Sequence, residues 1–337
     1  MSLMRDETLE GADAVARCLA QRAAFDAIGA QLRKLDPPFV VVCARGSSSH
    51  AGTYLRVLLA KQLGLIAAAA MPSVASVYHR PQRVRGALFV AISQSGRSPD
   101  LIAATTEARS AGALTLAIIN DVASPLAREC DLVLDIAAGE ERSVAATKTV
   151  LATLAAGLAL VDAWEQGAAR PALDALPQRL AAATMLDWSP LVETLAGVAS
   201  IFTVGRGPAL GIAKEAALKL AETCGIAGLA FSAAELAHGP MALAGPGFPV
   251  IAFLQDDASR PYSEQLLATL AGHGVPVLAA GGHVAGATQL PVPPPLHANA
   301  DLLPLLLSFY LAAEVAARRR GLDPDNPRSL QKVTRTT

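Results

Sequence analysis

The stretch FVVVCARGSSSHAG, residues 39–52, decides the fold. Its first part, Phe39–Ala44, is a short unbroken apolar run, which is typical of a parallel strand buried on both faces. A glycine, three serines and a helical pattern through Leu63 follow it. The same order returns in LFVAISQSGRSPDL, residues 88–101, where an apolar run leads into serines, a glycine and a helix. Strand, polar turn and helix in this order predict βαβ units and a parallel sheet.

The remaining apolar runs extend this pattern through two similar halves. In the first half we predict further strands at Leu114–Ile119 and Asp131–Ile136 and a long helix at Val144–Trp164. The second half begins with a strand at Ala199–Val204, a Gly-Arg-Gly turn and a helix at Leu210–Cys224. More strands and a late helix are predicted at Pro249–Leu254, Val275–Ala279, Gln289–Val292 and Asp301–Arg320. The predicted fold class is α/β, with two similar doubly wound parallel-sheet domains in tandem.

The domain boundaries follow from these runs. We expect an N-terminal helical segment at 1–36, a first domain at 37–185, a second at 186–320 and a C-terminal tail at 321–337.

Composition excludes several classes of protein. The 28 Lys and Arg residues against 29 Asp and Glu residues show no basic excess, so we predict no nucleic-acid partner. The longest apolar runs, Val150–Val161 and Leu305–Ala313, are shorter than the roughly 20 residues that span a bilayer, so we predict no membrane partner. The four cysteines form no CxxC pair, which argues against a zinc site and a disulfide framework. With no signal peptide at the start, we expect a cytoplasmic protein.

Two serine-rich turns are candidate phosphate sites. Each follows a strand and opens a helix, and open α/β sheets bind ligands at the carboxyl ends of their strands. Free N–H groups at a helix N-terminus and serine hydroxyls suit a phosphate, although the serines could also simply cap the helices. Neither turn is a dinucleotide or NTP motif. The candidate residues are Ser47, Ser48 and Ser49 in the first turn and Ser93, Gln94, Ser95 and Ser98 in the second.

A charged triplet marks the helix of the second half. Glu215, Lys219 and Glu222 fall at i, i+4 and i+7 on one face, among mostly apolar neighbours. Such a face is partly buried, and a carboxylate beside a lysine stays ionised and can act as a base. A surface ladder of ion pairs is the alternative. His238, at a Gly-Pro turn, is a candidate for either a functional or a structural hydrogen bond.

Seven segments together resemble a known family. They are MRDETLEGADAV, CARGSSSHAG, ISQSGRSPDL, VAATK, GRGPALGIAKEAALKLAE, AAELAHGPMAL and DPDNPRSLQKVT. In this order they resemble the sugar isomerase (SIS) superfamily, specifically the isomerase half of glucosamine-6-phosphate synthase and the stand-alone SIS-type glucosamine-6-phosphate deaminases. The resemblance implies flavodoxin-like domains, a phosphosugar substrate, a homodimer with sites at the subunit boundary, and neither a metal nor a cofactor.

The resemblance also implies roles for single residues. Glu222 matches the base that moves a proton between C1 and C2, with Lys219 and Glu215 as its helix companions. His238 matches the histidine that assists ring opening and reaches the neighbouring subunit's site, and Lys332 matches the lysine that closes over the open-chain sugar. The phosphate would be held by Ser48, Ser93, Gln94, Ser95 and Ser98, and the sugar contacted by Val144 and Ala145.

Departures from the synthase pattern shape the expected reaction. Arg97-Ser98 replaces the synthase's Glu-Thr, and Ala146 replaces a serine, which leaves the exact sugar open. Only about 36 residues precede the first strand, and none of the first 17 is a cysteine, so we expect no glutaminase. We therefore predict conversion of glucosamine 6-phosphate and water to fructose 6-phosphate and ammonia. A deglycase of phosphorylated fructosamines, another phosphosugar isomerase and a non-catalytic phosphosugar sensor are the alternatives.

Overall fold

The computed structural model describes residues 2–328 and 330. Three helices precede the first strand: α1 (Leu3–Leu9), α2 (Gly11–Leu19) and α3 (Arg22–Leu35).

The first domain is a five-stranded parallel sheet covered by helices. Its strands run in the order β2-β1-β3-β4-β5, and every neighbouring pair is parallel. The strands are β1 (Phe39–Cys43), β2 (Ile66–Ala69), β3 (Leu88–Ser93), β4 (Leu114–Ile119) and β5 (Leu132–Asp135). The helices are α4 (Gly46–Leu63), α5 (Pro72–Ser76), α6 (Pro99–Ser110), α7 (Pro125–Arg128) and α8 (Lys148–Glu165).

The second domain repeats that topology after two connecting helices, α9 (Arg170–Ala183) and α10 (Ser189–Gly197). Its parallel strands lie in the order β7-β6-β8-β9-β10, which is the first domain's order with the same connectivity. The strands are β6 (Ser200–Gly205), β7 (Ala227–Phe231), β8 (Val250–Phe253), β9 (Val277–Ala280) and β10 (Thr288–Leu290). The helices are α11 (Ala209–Lys219), α12 (Ala233–Leu236), α13 (Arg260–Gly272) and α14 (Leu302–Arg319), with a π-helical turn at Leu220–Cys224 and a 3-10 turn at Pro240–Leu243. The predicted α/β class with two similar parallel-sheet domains in tandem is confirmed.

Two details differ from the sequence prediction. The helix predicted from Val144 begins only at Lys148, so residues 144–147 belong to a loop. Strands β2 and β7, which the apolar runs did not reveal, each form one edge of a sheet. Their sequences, IAAA and AGLAF, are rich in alanine and glycine, which have weak strand propensity.

The apolar core lies between the sheets and the long helices. Both α8 and α14 are buried along nearly their whole length, which explains why they are apolar on every side. In the part of the chain that is described, no helix combines the length and hydropathy that a membrane span requires.

A glycine lets the two domains approach closely. Helix α4 of the first domain crosses α11 of the second at Gly211, where an added Cβ would lie 2.7 Å from the carbonyl oxygen of His50. Only glycine fits this contact without displacing the backbone of α4. The crossing therefore places the start of α4, which carries the first serine turn, against the helix that carries the charged triplet.

Candidate active site

The two serine turns lie side by side at the carboxyl edge of the first sheet, because β1 and β3 are neighbouring strands. Ser47, Ser48 and Ser49 form the first turn of α4 and are half-buried. Arg45, just before them, donates from Nε to Oδ2 of the buried Asp100 in α6 at 2.9 Å. This ion pair ties the first turn to the helix that follows the second.

The serines of the second turn have different structural duties. The Ser93 hydroxyl accepts a hydrogen bond from the Gly96 N–H at 3.0 Å, so it stabilises the turn itself. Ser98 occupies the N-cap position of α6, but its side chain makes no capping hydrogen bond. Gln94 and Ser95 are half-buried between them. Ser93 therefore has a structural role, since it stabilises the turn, whereas Ser98 does not cap its helix through its side chain.

Glu215 and Lys219 of α11 and Glu222 of the π-helical turn that follows it form a chain of ion pairs, here called the relay. Glu215 and Lys219 are each 1% exposed, whereas the Glu222 side chain is 18% exposed. Lys219 Nζ binds Oε2 of Glu222 closely and lies 3.5 Å from Oε1 of Glu215. The surface ion-pair ladder considered from the sequence is therefore wrong, because two of the three side chains are inside the protein.

Glu215 has partners from two other helices. His50 Nδ1 of α4 lies 2.9 Å from its Oε2, and the Tyr310 hydroxyl of α14 donates to its Oε1 at 3.0 Å. A buried carboxylate remains ionised only when such donors replace water. Together with Lys219, these residues surround the carboxylate with donors on both oxygens.

The relay keeps its charges despite burial. Burial alone would raise the pKa of Glu215, but the Lys219 cation and the His50 hydrogen bond outweigh it and lower that pKa. Burial alone would lower the pKa of Lys219, but the Glu215 and Glu222 carboxylates outweigh it and raise that pKa. Lys219 is therefore a charged ammonium that lies between the two glutamate side chains. Glu222 is the most exposed of the three residues.

Glu222 lies in the wall of a cavity. It lies in the π-helical turn, a distortion that is frequent at functional sites. The cavity has a volume of about 550 Å³, within the range of ligand pockets. Its wall combines the turn with the segment after α14, through Leu218, Glu222, Thr223, Leu322, Asp323, Asn326 and Arg328.

The loop before α8 is held from two sides. Glu141 accepts hydrogen bonds from the N–H of Thr147, at 2.6 Å, and from the Thr149 hydroxyl. The buried Glu7 of α1 accepts from the N–H groups of Arg142 and Ser143. Between these anchors, Val144 is half-buried and Ala145 is fully buried.

Lys148, which also belongs to this motif segment, has a structural partner. Its Nζ lies 2.5 Å from Oε2 of Glu10, at the junction of α1 and α2. The lysine thus ties the start of α8 to the N-terminal helices.

Among the described residues predicted as site residues, Glu222 alone lines the cavity. The two serine turns, Val144 and Ala145 are not part of its wall, and Glu215 and Lys219 lie behind Glu222. His238 is exposed beyond α12, its backbone N–H donates to the Glu235 carbonyl, and it does not line the cavity either. Lys332 lies outside the described residues. Within residues 2–328 and 330, no three His, Cys, Asp or Glu side chains cluster as a metal site would require.

Two partners of Glu215, His50 and Tyr310, are not among the residues predicted from the sequence. A signal for Tyr310 is its hydroxyl, because a buried tyrosine needs a hydrogen-bond partner. A signal for His50 is its place directly after the serine turn that opens α4 at the ligand edge of the sheet.

Comparison with known proteins shows what the chain resembles. The SIS domain family matches residues 37–163 and 194–282. The glutamine–fructose-6-phosphate aminotransferase (isomerizing) of Symbiobacterium thermophilum is 34% identical over 97% of this chain, and the match covers 56% of that protein. The chain spans about half the length of the curated relatives that it matches.

Solved structures share the whole architecture. A protein of Silicibacter pomeroyi described as a phosphosugar isomerase is 42% identical, with a TM-score of 0.92, over 96% of this chain and 100% of that one. Glucosamine-6-phosphate deaminase of Thermotoga maritima has a TM-score of 0.80 at 20% identity, over 99% of this chain and 100% of that one. The second likeness is one of fold.

Proposed function

Since the chain belongs to the SIS domain family, we propose that it is a phosphosugar aldose–ketose isomerase that converts glucosamine 6-phosphate and water to fructose 6-phosphate and ammonia. The observation that carries the proposal is the Glu222 carboxylate, held by the buried Lys219 ammonium at the wall of a cavity of about 550 Å³. A carboxylate fixed in this way can remove a proton from carbon and return it.

The reaction needs an isomerisation, in which two protons move, and one hydrolysis. Glu222 takes the proton from C2 of the open-chain aldehyde and delivers it to C1. The amine at C2 loses one N–H proton and the aldehyde oxygen gains one, so that the amine becomes an imine and the aldehyde becomes the C1 hydroxyl. Water adds to this imine at C2, ammonia leaves, and the ketone of fructose 6-phosphate remains.

The serine turns would bind the phosphate. Hydroxyl and amide groups of Ser48, Ser95, Ser98 and Gln94, with the N-terminus of α4, offer neutral donors to a dianion. Ser93 would act mainly by shaping the turn, because its oxygen already accepts from Gly96. Val144 and Ala145 would flank the sugar, in a loop that Glu7 and Glu141 hold in place.

Ring opening would use His238 and Lys332. We propose a homodimer in which His238 reaches the site of the neighbouring subunit, and its exposure in the single chain is compatible with this. Lys332 would act from the C-terminal tail, whose described part already lines the cavity through Asn326 and Arg328.

The decisive experiment measures ammonia release from glucosamine 6-phosphate. Loss of a general base lowers turnover by about 10²–10⁴-fold, so we expect Glu222→Gln to lower kcat by that factor. Glu193→Gln, an exposed carboxylate on α10, is the matched control and should keep the wild-type rate. Undiminished ammonia release by Glu222→Gln would overturn the assignment.

The same assay separates the alternative substrates. Galactosamine 6-phosphate, N-acetylglucosamine 6-phosphate and 6-phosphofructosyl amino acids are tested beside glucosamine 6-phosphate. Turnover of the fructosyl adducts alone would favour a deglycase, which needs room beyond C1 for an amino acid. Binding of all of these compounds without turnover would favour a sensor.

A further inference from the structure

His50 joins the serine turn of the first domain to the relay of the second. It lies directly after the first turn of α4, two residues after Ser48, and its ring is 20% exposed. Nδ1 lies 2.9 Å from Oε2 of Glu215. Because an ionised carboxylate only accepts hydrogen bonds, Nδ1 carries the hydrogen.

The two oxygens of Glu215 are supported unequally. Oε1 has the Tyr310 hydroxyl at 3.0 Å and Lys219 Nζ at 3.5 Å, whereas Oε2 has His50. Within the described residues, His50 is the one donor at hydrogen-bond distance from Oε2. Glu215 is 1% exposed, so in the intact protein His50 and not bulk water satisfies this oxygen, and removing the imidazole removes that fixed donor.

The hydrogen bond from His50 to Glu215 affects Glu222 because Glu215 and Glu222 compete for the Lys219 ammonium. Lys219 Nζ binds Glu222 more closely than Glu215, although both carboxylates attract it. A Glu215 carboxylate with one unsatisfied oxygen attracts the ammonium more strongly, and the ammonium then moves away from Glu222. The Glu215 carboxylate stays a weak competitor because His50 satisfies it.

We infer that His50 is a positioning residue, which holds the Lys219 ammonium on Glu222 by satisfying Glu215. The inference rests on the proposed function of Glu222 as the base. It also connects the two halves of the site, because the residue that sets the base is built into the helix turn that would bind the phosphate.

The test compares His50→Ala with His50→Asn. The asparagine side-chain N–H₂ can take the place of Nδ1–H, whereas alanine has no donor. A small misplacement of a catalytic group can cost about 10²-fold in rate, so we expect His50→Ala to lower kcat by about 10–10²-fold with KM within about 3-fold of wild type. His50→Asn should recover most of kcat. Exchange of the C2 proton with deuterated solvent should slow by the same factor as turnover.

Several results would overturn the inference. They are an unchanged kcat in His50→Ala, a loss expressed only in KM, and a loss that His50→Asn fails to recover although its Tm equals that of wild type. Each would indicate that His50 acts by packing or by binding the phosphate, and not through Glu222.

A spectroscopic arm does not depend on turnover. In protein labelled with ¹³C at the glutamate carboxyl carbons, the Glu222 resonance is assigned as the signal that Glu222→Gln removes. We expect His50→Ala to shift this resonance and His50→Asn to leave it near its wild-type position. An unshifted signal in His50→Ala would overturn the inference. If wild-type protein turns over none of the phosphosugars, the proposed function fails, and this arm still decides whether His50 controls the surroundings of Glu222.

Discussion

The two domains have the same strand order, yet their carboxyl edges are built in opposite ways. In the first domain, serine turns follow β1 and β3 and present hydroxyls and helix N–H groups. In the second, Gln255 after β8 accepts from the Ala209 N–H at the start of α11, at 3.1 Å. Asp257 accepts from the N–H and hydroxyl of Ser259 and from Lys61 Nζ, at 2.6 to 2.8 Å.

Two sheets with the same topology have the same kind of carboxyl edge. The side chains at that edge, and not the topology, determine whether it can bind a ligand. In the second domain the donor groups of Ala209 and Ser259 are already taken, and the Asp257 carboxylate lies beside them. That domain contributes the charged triplet to the candidate site. The fold supplies two similar positions, and in our proposal one binds the phosphate while the other is structural.

The largest difference between the two edges is expected in KM, when a serine of the first turn is substituted. A hydrogen bond to a charged group contributes about 1.5–3 kcal/mol, so we expect Ser48→Ala to raise KM for glucosamine 6-phosphate by roughly 10-fold or more. Ser259→Ala changes a serine on the carboxyl edge of the second sheet, after β8, and we expect the KM to stay at the wild-type value. Steady-state kinetics of both variants test this. Equal KM values would mean that the first serine turn does not bind the phosphate.

A substitution of Asp257, at the carboxyl edge of the second sheet, should lower the stability of the protein and leave KM unchanged. Burial alone would raise the pKa of Asp257, but hydrogen bonds from Lys61 and Ser259 outweigh it and lower the pKa to about 2. A lowered pKa means that the carboxylate stabilises the fold above about pH 4 and loses this contribution as the pH falls toward 2. We expect Asp257→Asn to lower Tm by roughly 1–2 °C at pH 7, because the unfolding entropy grows with chain length and a loss of about 1 kcal/mol shifts the Tm of a chain of 337 residues by about this amount.

The pH dependence is the sharper part of that prediction. The Tm difference between Asp257→Asn and wild type should narrow between pH 4 and pH 2. Asp256→Asn, which removes the neighbouring and more exposed carboxylate, is the control. A Tm difference that stays constant across this pH range would show that the charge of Asp257 does not stabilise the fold.

The smallest effect is expected from the arginines beside the two edges. Arg97 is 59% exposed and pairs with Asp121, so its charge is well screened by water and salt. We expect Arg97→Gln to raise KM by about 2–3-fold at low ionic strength and to match wild type at high salt. Arg206→Gln, in the turn after β6, should change KM at neither salt concentration. A KM increase that persists in high salt would instead place Arg97 in direct contact with the phosphate.

The sequence predicts the parts of the fold that repeat a local pattern. The inner strands are apolar runs of four to six residues, and all of them are recognisable. The edge strands β2 and β7 are not predicted from the sequence, because they are half-exposed and their stability comes from pairing with β1 and β6. Pairing between distant segments has no local signature.

The site divides in the same way. Spacing along one helix predicts that Glu215, Lys219 and Glu222 share a face. The contact of His50 with Glu215 joins residues 165 positions apart, and it depends on the close approach of α4 and α11 at Gly211. No periodicity reports such a crossing. The cavity is equally hidden, because its wall combines the π-helical turn with the segment after α14.

The π-helical turn at Leu220–Cys224 makes the position of Glu222, the proposed base, sensitive to the deletion of a single residue. Such a turn holds one residue more than an α-helical turn does, so the chain has a surplus residue here that it could lose while remaining helical. Deleting Ala221 would rotate Glu222 by about 100° and put it two positions after Lys219, a separation at which helical side chains do not face each other. Glu215 and Lys219 would keep their spacing. A lineage that lost this residue would keep the fold and both serine turns while losing the proposed base, which would turn the proposed enzyme into a binding protein in one step.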